Sequence, residues 1–156
     1  MPNTQAIGVA YADPEFQSVS VTGAVLAASA SVSGALSAGS VSSASVTASG
    51  DLFIKSATVA AAGSNQGTAA AVAGGFTLVT GADAAKGVVL PAAAAGLVVI
   101  IKNADAANAV LKVYPASGDA INALAANASY DMAAKTSMLL VAYDATTWYT
   151  VPLLAS

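Results

Sequence analysis

General acid–base catalysis asks for a group poised near neutrality, most often histidine, or for carboxylates whose shared environment pushes their pKa values apart. This chain has no histidine. Its seven Asp and one Glu are spread singly, and most stand beside a turn-forming residue: Asp13 precedes Pro14, Asp51 and Asp119 follow Gly, Asp83 lies in TGADAAKG, Asp105 in NADAAN and Asp144 in DATT. An Asp that accepts hydrogen bonds from its own turn accounts for such placement without any chemistry. Cysteine is absent, which removes thiolate nucleophiles, thiolate metal sites and disulfides together. A serine nucleophile would need a base, and Lys55, Lys112 or Lys135 would have to supply it. The strings VSGAL and PASGD are too short to signal that pairing. The Gly-rich stretches lack the GK[ST] or GxGxxG context of phosphate loops. Asn103, Asp105 and Asn108 gather oxygen donors, but no bidentate acid stands at the spacing a calcium loop requires. The expectation is therefore a chain that is not an enzyme, with no catalytic residue, no cofactor and no metal.

Binding functions narrow in the same way. The five lysines, at 55, 86, 102, 112 and 135, stand singly and there is no arginine. Phosphate backbones are gripped by clusters of Lys and Arg that release counterions, so direct nucleic-acid binding is not expected. Only 8% of the 156 residues are charged while 56% are hydrophobic, more apolar than a free-standing surface usually tolerates. A bilayer is one destination for such a chain. The longest apolar run, Val88 to Ile101, is interrupted by Pro91 and Gly96 and bounded by Lys86 and Lys102, so it is too short and too broken to span one. Burial between subunits is the expected destination. The opening MPNTQAIGVAYADPEF has neither a basic start nor a continuous apolar core, so synthesis and assembly in a cytoplasm are expected.

The elements that would position these residues divide the chain into three. Residues 1–18 hold Ile7, Tyr11 and Phe16 around Pro2 and Pro14, which discourage a long helix and suggest an extended arm. Residues 19–54 repeat a loose unit: VTGAVLA at 21–27, VSGALSA at 32–38 and VTASGDLF at 46–53. Val and Leu pulses among Ser, Thr and Gly disfavour helix and favour short strands joined by tight turns. One copy of such strands has nothing to cover its apolar side, whereas identical copies around a threefold axis would. A trimer interface is accordingly expected at Val19, Val21, Val25, Val32, Leu36, Val41 and Val46. From residue 55 to 156 larger side chains accumulate. Strand-like runs follow at SATVAA, GFTLVT, GVVL, GLVVIIK, AVLKVY, SYDMA, SMLLVAY and WYTV, separated by turn signals. This pattern suggests an all-β sandwich or jelly roll with little helix. GLVVIIK and AVLKVY are expected to pair as an antiparallel hairpin across the loop 103–108. Leu97 to Ile101 should be buried on both faces, in a sheet centre or under a neighbouring subunit. Trp148 and Tyr149, with Tyr143 across the DATT turn, form the heaviest aromatic cluster, for which core packing is the expected role.

Two stretches carry a resemblance. The opening AIGVAYADPEFQSVSVTG, with the Val/Ser/Gly repeats behind it, resembles the N-terminus of small proteins that decorate or cement the heads of tailed bacteriophages. The string from Gly87 to Met132, with the late DATTWYTV, is similar to a β-module of phage head-decoration and fibre proteins. The likeness rests on Leu90-Pro91, Asn103, Val113-Tyr114-Pro115, Gly118-Asp119, Ile121-Asn122 and Trp148-Tyr149. It implies a homotrimer on the outer surface of the capsid, bound to the major capsid protein and stiffening the shell, with Ile7, Tyr11, Pro14 and Phe16 of the arm as capsid contacts. The alternative is a host-binding fibre or receptor-binding knob. Trp148 exposed in a groove would favour the knob, and Trp148 packed against Leu139 and Val141 would favour decoration.

Overall fold

The computed structural model describes residues 22–24, 31–43 and 45–151. The chain divides into two units, Met1–Thr47 and Ala48–Ser156. In the first unit, every described residue is exposed and none lies in a strand. The short strands expected across 19–54 are thus not present among the described residues of a single chain. The arm residues Ile7, Tyr11, Pro14 and Phe16 lie outside the described residues, as do Val19, Val21 and Val25.

The second unit holds all ten strands, and no helix occurs among the described residues. The strands are β1 (Ser56–Ala60), β2 (Ala70–Ala71), β3 (Gly75–Thr80), β4 (Gly87–Val89), β5 (Val98–Asn103), β6 (Leu111–Tyr114), β7 (Ala120–Ile121), β8 (Tyr130–Met132), β9 (Ser137–Ala142) and β10 (Thr147–Val151). Odd and even strands part company at once. One sheet has the order β1-β3-β5-β9-β10-β7 and the other β2-β4-β6-β8. From β1 to β9 the chain therefore alternates between sheets, β10 staying beside β9, and up to β6 each return lays a new strand parallel to its predecessor: β1 on β3 and β3 on β5, β2 on β4 and β4 on β6.

This is a β-solenoid-like winding. Parallel neighbours need a crossover connection, and here the crossover is a strand of the facing sheet. Ser56 pairs with Phe76, which pairs with Ile100, so each coil spends roughly 20 to 25 residues, within the range of solenoid repeats. After β6 the direction reverses. β8 runs antiparallel to β6, β9 antiparallel to β5 and β10 antiparallel to β9, with the two-residue β7 parallel on the outer side of β10. A jelly roll is antiparallel throughout, so the pairing differs from that expectation in its first three coils.

The expected hairpin of GLVVIIK with AVLKVY is not formed, since β5 and β6 belong to different sheets. The reason is local. Asn103 ends β5 fully buried; its Nδ2 donates to the carbonyl oxygens of Ala109, Met132 and Ala133, and its Oδ1 accepts from the Asp105 amide. Asp105, itself buried, accepts from the Ala109 amide at 2.9 Å. These bonds fold the loop inward and hand the chain to the other sheet.

One core serves both sheets. Val79, Val99, Ile101, Leu140 and Trp148 come from the six-stranded sheet, and Val88, Leu111, Val113 and Met132 from the four-stranded one. Each fully buried aliphatic side chain contributes about 1.5–3 kcal/mol. In β5 the burial alternates strictly: Val99 and Ile101 are sealed, Ile100 is half-buried and Val98 exposed. The expectation of burial on both faces is corrected to one face within a single chain.

Candidate interaction surface

Several of the polar residues considered for chemistry are held by the fold. Asp83 accepts from the amides of Ala85 and Lys86 and pairs with the Lys86 ammonium at 2.9 Å. The Lys86 bond holds its carboxyl below the usual carboxylate range. Asp144 accepts from the amides of Thr146 and Thr147, and the Thr146 amide is the main cause of its lowered pKa. Asp119 is buried and accepts from the Ala93 amide at 2.9 Å, tying together two loops. Lys112 lies across from Asp131 on neighbouring strands and meets both its carboxylate oxygens. Asn103 and Asp105, the core of the calcium-like string, are filled by backbone partners. Among the described residues no group of three His, Cys, Asp or Glu is placed to hold a metal ion.

The residues that carry the phage resemblance turn out to be fold determinants. Leu90, Val113, Ile121 and Trp148 are core. The Tyr114 hydroxyl donates to the Ser64 carbonyl, Gln66 donates to the Pro115 carbonyl, and the Gly118 amide donates to Asn127. Asn122, at φ 54, exchanges hydrogen bonds with Thr150 on β10: its Nδ2 donates to Oγ1 and its Oδ1 accepts from the Thr150 amide. Trp148 is sealed on the same face as Leu140 and Ala142, since it pairs with Ala142. Leu139 and Val141 point to the opposite face. The aromatic cluster thus splits. Trp148 packs the core as expected, whereas Tyr143 and Tyr149 are exposed and meet edge-on with ring centroids 6.0 Å apart.

That opposite face is the most distinctive surface of the second unit. The strand register sets Phe76, Ile100, Leu139 and Val151 in one row across four strands. Beside it, Val98, Val141 and Tyr149 form a second row. Val98, Tyr149 and Val151 are exposed and the others half-buried. A depression of about 340 Å³ at one end is lined by Ile54, Lys55, Leu97, Val98 and Ile100, with Gly74 and Gly75. Just before β1, Leu52, Phe53 and Ile54 are also exposed, Phe53 to 88%. The outer face of the four-stranded sheet is more mixed, carrying Gly87 and the Lys112–Asp131 pair in one row and Ala71, Val89 and Tyr114 in the next.

In the first unit Val32, Leu36, Val41 and Val46 are exposed, between 55% and 77%. The expected trimer residues that are described therefore stand open in one chain. Of the sheet-face residues, Val98 and Ile100 fall in the run 97–101 expected to need cover on both sides, whereas Phe76, Leu139, Val141 and Val151 were not singled out from sequence. The signal lay in the non-alternating run GLVVII, which reads as a strand wanting cover on both sides.

Comparison with known proteins finds no matching family model, no curated relative and no similar solved structure.

Proposed function

We propose that this chain is a non-catalytic structural protein of a bacteriophage virion, bound as a homotrimer to the outside of the head, where it bridges neighbouring capsomers of the major capsid protein. The observation that carries the structural half of this reading is the apolar area one chain leaves open. The aliphatic row of the six-stranded sheet, the Leu52–Phe53–Ile54 tripeptide and the Val and Leu pulses of 31–47 would be ill placed on a protein working alone. The address on the phage head rests on the resemblance of the opening string and of the Gly87 to Met132 module. On this reading residues 1–18 grip the shell through Ile7, Tyr11, Pro14 and Phe16. Residues 19–54 organise the trimer, and the β-module is the folded mass. Many copies acting together make modest contacts sufficient to resist the pressure of packaged DNA.

Burial of Trp148 removes the exposed platform that the receptor-binding knob relied on, but Trp148 lies on the face of Leu140 and Ala142, so the packing against Leu139 and Val141 expected of the decoration role is not formed. The exposed Tyr143–Tyr149 pair is the observation that keeps a host-surface ligand in view, and glycan-array binding by the purified chain reads it out. The decoration role is tested by adding purified chain to heads that lack it. Saturable, stoichiometric binding and a higher temperature for DNA release are expected; heads that neither bind the chain nor gain stability would refute the role.

A further inference from the structure

β5 is the third strand of six, and its sequence lacks the polar alternation of a strand with one wet face. Inside one chain, however, only one side of it is covered. The open side continues across β3, β9 and β10 as the rows through Ile100 and Val98. Its charges lie at the margins: Lys102, whose ammonium donates to the Lys135 carbonyl, and Lys55, which lines the depression at one end. A partner recognised by charge would find nothing on these rows to pair with, and would bury its own charges at a cost. Four strands about 4.8 Å apart and five residues long give a plane on the order of 300 Å². Three well-exposed large side chains at 52–54 add on the order of 400 Å². The two together approach the roughly 800 Å² that each partner contributes to a standard interface.

We infer that, in the assembled protein, this face packs against the same face of other copies of the chain, the six-stranded sheets turning their aliphatic rows toward a common axis. The inference rests on the homo-oligomer reading above, and it extends the interface from the segment 19–54 into the folded module. Copies of one chain bring identical uncharged rows in equal number, so each row is covered by its equivalents, and the outer face of the four-stranded sheet, which holds the Lys112–Asp131 ion pair, stays in water.

Sedimentation equilibrium of the full chain over a range of concentrations tests it. The set compares the parent chain with Val98→Lys, Tyr149→Asp, Ala71→Lys on the opposite sheet and Leu36→Lys in the N-terminal segment, each checked for folding by its thermal melt. The parent should have the mass of several chains. Val98→Lys and Tyr149→Asp should each weaken association by about tenfold or more, while Ala71→Lys leaves it unchanged. If Val98→Lys fails to fold, Tyr149→Asp, at a position 48% exposed, carries the same reading. Association untouched by the sheet-face variants overturns the inference. If Leu36→Lys alone then dissolves the assembly, the oligomer reading survives with its interface confined to 19–54. A single-chain mass at every concentration overturns both.

Discussion

Asn103 ends β5 with its whole side chain inside the protein, where three carbonyl oxygens compete for one amide nitrogen and one amide hydrogen bonds back to its oxygen. Truncation would remove this partner from the Ala109 and Met132 carbonyls and the Asp105 amide, a loss of about 1–3 kcal/mol for each group left unsatisfied, while the Ala133 carbonyl keeps its bond from the Thr136 hydroxyl. Asn103→Ala should therefore cost about 3 kcal/mol in urea unfolding, and Asn103→Asp more, because it trades donors for a buried charge. An Asn103→Ala chain within experimental error of the parent would contradict this. The carboxyls of Asp83 and Asp144 make a separate statement. Both have folded-state pKa values below their ordinary ones, from the Lys86 bond and the Thr146 amide respectively. As pH falls, the unfolded chain takes up these protons first. The stability they confer is thus present above about pH 4 and is lost as pH drops through the folded values. With no histidine in the chain, side chains add little pH dependence between about pH 5 and 8. Melting temperature should be flat across that window and fall on the acid side. Asp83→Asn and Asp144→Asn should shrink the acid-side fall.

At the scale of elements, the coil depends on close approach between parallel strands. A Cβ on Gly87 of β4 would come within 2.6 Å of the Lys112 carbonyl and 2.7 Å of the Tyr114 ring on β6. Gly87→Ala should cost about 2 kcal/mol by forcing the strands apart, while Gly67→Ala, whose nearest neighbour would be 3.6 Å away, should be nearly neutral. Urea denaturation of the pair distinguishes them; equal stability would speak against tight β4–β6 stacking. Eight of the ten strands were legible in the sequence, because β-branched and aromatic residues cluster there between turn residues. β2 and β7 were not, being two residues each, Ala-Ala and Ala-Ile, with too little pattern to register. Strand pairing was also illegible. Turn residues such as those of 103–108 announce that the chain reverses, and say nothing of whether it returns beside itself or crosses to another sheet. That choice was made by the buried bonds of Asn103 and Asp105. The inward and outward faces of β9 and β10 were hidden for a related reason: only the register Trp148↔Ala142 places Leu139 and Val141 on the open side.

For the whole molecule, the surface asymmetry matters most. One sheet presents aliphatic rows and the other a Lys–Asp pair, and the segment 31–47 exposes Val and Leu that no other described residue buries. The sequence pointed to the charge-free stretch between Glu15 and Asp51 as the place for partners in the proposed assembly; the folded module adds a second open apolar surface. A chain with so few charges and so much open aliphatic area is suited to a fixed place in an assembly, and the head of a phage supplies many equivalent places. The measurement that bears most directly on this is an electron-microscopic reconstruction of virions with and without the protein. If the chain decorates the head, density should be lost from its outer surface at capsomer junctions, in threefold clusters that fit the β-module. Density lost from tail structures alone, or no difference at the head, would contradict it.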